Sequence, residues 1–60
     1  MTFFDLEENM KKGARITREV WRDPSFFIRW NSILSRYEWN DGIEWEANTT
    51  ELNAHDWRYV

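Results

Sequence analysis

The stretch EWNDGIEW, residues 38–45, constrains this chain more than any other eight residues in it. Asn-Asp-Gly between alternating residues is a strong short-range hairpin signal. Two registers are open. A two-residue loop at Asp41-Gly42 would oppose Trp39 to Glu44 and Glu38 to Trp45, mixing charge and ring on both faces. A three-residue loop, Asn40-Asp41-Gly42, opposes Trp39 to Ile43 and Tyr37 to Trp45, and sets Glu38 across from Glu44. Because a one-residue slip turns every side chain to the other face, the apolar pattern selects between them. It selects the three-residue loop, a type I turn with Gly42 in the left-handed bulge position. Tyr37, Trp39, Ile43 and Trp45 then make one apolar face. The Glu38/Glu44 pair belongs on a solvated or cation-matched outer face, since like charges directly opposite are unfavourable.

Such a hairpin needs something to cover its rings, and the chain has little else to do so. Sixty residues make a single domain, residues 1–60, near the size at which one core is only marginally sufficient. Five Trp, four Phe and two Tyr exceed what it can readily enclose, and no Cys is present to reinforce it. Assembly into a homo-oligomer, a dimer or tetramer, is the expected solution. The formal charge of −3 argues against general nucleic-acid binding. No apolar run approaches membrane-spanning length, and MTFFDLEEN lacks the basic and apolar regions of a signal peptide, so cytoplasmic residence is expected.

Charge is segregated along the chain. Residues 9–31 hold six basic residues (Lys11, Lys12, Arg15, Arg18, Arg22, Arg29) against Glu19 and Asp23, a net +4. Residues 37–60 hold six acids (Glu38, Asp41, Glu44, Glu46, Glu51, Asp56) against Arg58, a net −5. Two complementary solvated faces would account for this, and so would a local basic site for a small anion.

Local signals fill in the remaining elements. Thr2 and Asp5 have the spacing of a capping box. Phe3, Leu6 and Met10 recur at helical spacing, Lys11 and Lys12 close the last turn, and Gly13 stands at the expected C′ position. This predicts a helix over about 3–12. ARITREVW, residues 14–21, alternates as a strand, with Arg18 an anomalous cation on its apolar side and Trp21 on the polar-patterned side. Pro24 breaks it. FFIRW, residues 26–30, is a second strand. Residues 31–35 are ambiguous between a bend and a continuation. Hairpin strands at 36–39 and 43–46 follow, then a helical turn near 50–54 and a last strand in DWRYV. The sum is an α+β domain: a small, mostly antiparallel sheet of about five short strands with one N-terminal helix on one face.

The run F-x-x-L-x-x-x-M-x-x-G-x-x-I-x-R-E-x-W (Phe3 to Trp21) resembles the opening of a family of phage anti-defence sponge proteins, the second class of Thoeris anti-defence proteins and their relatives. The run W-x-A-x-x-T-E-L-x-A-x-D-W (Trp45 to Trp57) looks like that family's closing signature. The middle, NSILSRYEW, is shorter than in the family. The resemblance implies a phage-type protein that sequesters a cyclic nucleotide immune signal, a cyclic ADP-ribose isomer or cyclic oligonucleotide, between protomers without cleaving it.

Candidate ligand-binding residues are Trp21 as a purine platform and Arg18 as a bidentate phosphate contact or the centre of an ion pair with Asp56 or Glu51. Arg22, Thr50, Asp56 and Trp57 complete the set. His55 alone makes no metal constellation, no cofactor is implied, and no nucleophile, acid–base pair or phosphate loop suggests an enzyme. The alternative function is an acidic, aromatic-rich inhibitor that binds a host defence enzyme.

Overall fold

A computed structural model describes residues 1–60. Its elements run α1 (Phe3–Met10), β1 (Ile16–Arg18), a 3₁₀ turn (Glu19–Trp21), β2 (Ile28–Asn31), β3 (Arg36–Trp39), α2 (Thr49–Asn53) and β4 (Trp57–Tyr59). The strands form one antiparallel sheet in the order β3-β2-β1-β4. The fold is α+β, with four strands rather than five.

Helix α1 begins where the cap demands. Thr2 Oγ1 accepts from Asp5 N–H while the Asp5 carboxylate accepts from Thr2 N–H, closing the capping box. Its last carbonyls are satisfied by a Schellman pair: Gly13 N–H donates to Met10 O and Ala14 N–H to Asn9 O. Gly13 sits at φ 108°, which its missing Cβ permits.

Partners across antiparallel strands share a face, so Ile16, Ile28, Trp30, Tyr37, Trp39 and Trp57 all point toward α1. Phe3, Leu6 and Met10 descend from the helix to meet Ile16, Ile28, Trp45 and Trp57, and these seven make the buried core. Phe3 is its hub, with ring centroids 5.1 Å from Tyr37, 5.3 Å from Trp45 and 5.7 Å from Trp57. Two polar ties fasten the helix to the sheet: Tyr37 Oη donates to Glu7 Oε2 at 2.6 Å, and Asn9 Nδ2 donates to Tyr59 Oη at 2.8 Å. The chain ends also meet. The Met1 ammonium donates to His55 O, and Trp57 N–H donates to Met1 O.

The hairpin adopts the three-residue register. Gly42 N–H donates to Trp39 O, Trp39 N–H to Ile43 O and Trp45 N–H to Tyr37 O. Gly42 lies at φ 89°. The return arm, expected as a strand over 43–46, makes only a single bridge at Glu38↔Glu44, because the chain leaves the sheet once Trp45 has entered the core. Ile43 remains exposed instead of sharing in the core. Glu38 does face outward, yet it is buried under two matching cations, Arg36 Nε at 2.8 Å and Arg29 at 3.7 Å, and accepts a further hydrogen bond from Asn31 Nδ2 at 3.1 Å. The hydrogen bond from Arg36 holds its carboxyl below the ordinary value, against the upward push of burial. Residues 31–35 form the turn between β2 and β3, where Asn31 Oδ1 accepts from the amides of Ile33 and Leu34.

The strand expected over 14–21 stops at Arg18. Asp56 takes over there: its carbonyl accepts from Glu19 N–H and its carboxylate from Val20 N–H. The backbone winds into the 3₁₀ turn and exits through Arg22 at φ 62°. Trp21 is thereby carried off the outer face, where alternation placed it, and onto the ring cluster of the inner face.

Candidate functional site

The six residues singled out by sequence gather at one end of the sheet, but they divide into a framework and a surface. Arg18 is the centre of the framework. Its Nε donates to Asp56 Oδ1 at 2.7 Å and its Nη1 to Glu51 Oε2 at 2.8 Å. The Arg18 side chain is 16 % exposed and that of Asp56 29 %. Of the two readings left open for Arg18, the geometry is that of the ion pair, with both proposed carboxylates engaged at once.

The hydrogen bond to Asp56 raises the Arg18 guanidinium above its ordinary value, against the downward push of burial. Burial pushes the Asp56 carboxyl up, but the bonds from Arg18 and Val20 together with the Arg18 charge outweigh it and hold the group low. Both therefore stay charged through the physiological range. The arrangement joins three distant segments: β1, the middle of α2, and the entry to β4.

Trp57 belongs to the framework too. It is 1 % exposed, and its Nε1 donates to Glu51 O at 2.8 Å. The Arg18 guanidinium lies 6.0 Å from its ring centroid. A ligand could not touch this ring without opening the core.

Trp21 packs on that framework from outside. Its ring centroid is 5.4 Å from Trp57, edge to face, and 5.1 Å from Trp39, tilted. It is half-buried, so part of its ring surface faces solvent. The next residue, Arg22, is exposed and forms neither an ion pair nor a side-chain hydrogen bond within the chain. Its left-handed backbone is a conformation that disfavours side chains with a Cβ, by about 1–2 kcal/mol. Thr50 is exposed in α2, next to the Glu51 that holds Arg18.

Two open depressions mark the surface. One, about 320 Å³, is walled by Phe26, Trp39, Asp41 and Ile43. The other, about 250 Å³, is lined by Arg29, Trp30, Asn31, Ser32, Ile33 and Glu38. None of the six sequence-picked residues lines either one. The larger touches them only through Trp39, on which Trp21 packs. Sequence reading placed Trp39 on the apolar face of the hairpin, but it did not single out Phe26 as part of any site. The available signal was an apolar residue just beyond the Pro24 break; the strand expected over 26–30 begins only at Ile28, which leaves Phe26 exposed in the bend before it.

No group of three or more His, Asp or Glu side chains is arranged to hold a metal ion, and no helix is long and apolar enough to cross a membrane. Comparison with known protein families, with curated proteins and with solved structures gives no match.

Proposed function

We propose that this chain binds and sequesters an anionic cyclic nucleotide signal, a cyclic ADP-ribose isomer or cyclic oligonucleotide, between two copies of itself and releases it uncleaved. One observation supports the reading most: an unpaired, strained arginine follows directly on a partly buried tryptophan, at the end of a turn fixed by Asp56. Strained backbone in a non-glycine residue tends to mark functional positions. Trp21 supplies a surface for a base, and Arg22 supplies an uncompensated charge for phosphate. Thr50 adds a hydroxyl. Arg18, Asp56 and Trp57 serve from inside, holding the turn that presents Trp21 and Arg22 and, through Glu51, the helix that carries Thr50.

Shape supports a two-copy arrangement. The depressions on one chain are open and shallow, whereas tight small-molecule sites bury most of the ligand surface. Host cytoplasm is the compartment in which such a signal is met. The runner-up, an inhibitor that docks on a host enzyme, draws support from the exposed acids Asp41, Glu44 and Glu46 around exposed Ile43.

Calorimetry with cyclic ADP-ribose isomers and cyclic dinucleotides tests the reading, followed by heat denaturation and chromatography of what is released. Binding with intact recovery is expected. A cleaved product would replace the sponge reading with an enzymatic one, and failure of every cyclic nucleotide to bind would favour the inhibitor.

A further inference from the structure

We propose that a second copy of this chain docks in the depression walled by Phe26, Trp39 and Ile43, inserting the Ile33–Leu34 tip of its own β2–β3 turn. The inference deepens the two-copy part of the reading above, and its test contains no nucleotide. Either can therefore fail while the other stands.

The tip is an apolar knob held out in water. Ile33 is 91 % exposed and Leu34 is exposed beside it. The turn is not loose, because Asn31 Oδ1 accepts from both of their amides and fixes the direction in which the pair projects. The depression offers the matching apolar walls, with Phe26 and Ile43 both more than half exposed.

Topology makes the two parts reciprocal. The pairs Asn31↔Arg36 and Ile28↔Trp39 mark opposite ends of the same two-stranded ribbon. The knob is beyond the first pair and the depression beside the second. A two-fold axis across the ribbon places each knob in the other copy's depression, so the contact closes at two copies.

Charge agrees with that orientation. At the knob end, Lys11 Nζ lies 3.9 Å from the centroid of the Trp30 ring and has no carboxylate partner. At the depression end, Asp41 is part of the wall and has no cation partner; its Oδ1 only accepts from Ile43 N–H. The two-fold brings Lys11 of each copy toward Asp41 of the other. An apolar centre with a charged rim is the usual anatomy of an interface.

The test is sedimentation without ligand at concentrations up to on the order of 100 µM, where even weak self-association shows. The wild-type chain should sediment at twice its 7.5 kDa mass. Ile33→Asp leaves the core untouched and should weaken association by at least about 30-fold, as loss of a central interface anchor does. Lys11→Glu and Asp41→Lys should each be monomeric alone, because each sets like charges together twice. Mixed one to one, they should form a dimer, because both contacts are then complementary. Circular dichroism confirms that each variant is folded, and Leu34→Asp replaces any that is not. A wild-type monomer throughout, an assembly unmoved by Ile33→Asp, or a mixture that stays monomeric would each overturn the proposal.

Discussion

Replacing Asp56 by alanine should remove a disproportionate share of this domain's stability. The side chain accepts from Arg18 Nε at 2.7 Å and from Val20 N–H at 3.1 Å. Breaking one partner of a buried ion pair costs about 3–5 kcal/mol, because the remaining charge is left desolvated. Here the loss is smaller on two counts. Glu51 still holds the guanidinium at 2.8 Å, and Asp56 is 29 % exposed, so water reaches part of the gap. About 2–3 kcal/mol is the expected net.

A 60-residue domain has a total stability of roughly 3–9 kcal/mol, so the variant sits close to unfolding. At about 4–8 °C per kcal/mol, Tm should fall by roughly 8–24 °C. The local signature is more specific than the global one: the Val20 amide should lose its hydrogen-exchange protection. Asp56→Asn, which keeps an acceptor but loses the charge, should fall between. The apolar double replacement Arg18→Met/Asp56→Leu should cost less than the two single changes added together. A Tm drop under about 3 °C, or unchanged Val20 protection in Asp56→Ala, would refute the idea that this carboxylate organises the turn.

Acid should act on the same element: the lowered Asp56 and Glu38 carboxyls contribute stability that is complete above their unfolded values and lost as pH falls through the folded ones. Asp56→Ala should therefore flatten the acid limb of a plot of Tm against pH. Tyr37 behaves oppositely, since burial and then its bond to Glu7 raise its phenol well above the ordinary value. Its contribution is present below about pH 10 and is lost at higher pH, and Tyr37→Phe should remove that alkaline loss. Gly42→Val forces a β-branched residue to φ 89° and should cost about 1–2 kcal/mol, measured by urea denaturation. Arg22→Gly relieves the left-handed strain and should leave stability equal or up to about 1 kcal/mol higher while weakening nucleotide binding. Trp21→Ala should cost about 1–3 kcal/mol of binding in calorimetry with the assembly intact.

The parts of the fold that were legible in the sequence are those whose causes are local. The capping box, Gly13 and the hairpin register each depend on residues within a few positions of one another, and each stands in the structure as the pattern requires. Strand β1 was misread because its end is set from 38 residues away, where Asp56 meets Arg18. Alternation carried Trp21 to the outer face only so long as nothing interrupted the strand. Glu38 was placed on the correct face, but its burial depends on how Arg29 and Arg36 lie across the sheet, and no period records that. Arg18 stood out as a cation in an apolar row, and its two partners were already named as candidates. Sequence could not decide between partner and ligand because both readings need the same guanidinium.

Distances decide how those roles divide. For Arg18 to take a phosphate, it would have to leave carboxylates at 2.7 and 2.8 Å, or admit the anion beside two negative charges. Breaking such a pair costs about 3–5 kcal/mol. A nanomolar to micromolar complex has only about −8 to −12 kcal/mol in total, so about a quarter or more of the affinity would be cancelled. Arg22 has no bond to give up, and its backbone is already held in the geometry that presents it. Its charge is available at no cost beyond strain that folding has already absorbed. On the proposed reading, a sheet end that locks one arginine between two carboxylates and leaves the next free gives the first to architecture and offers the second for recognition.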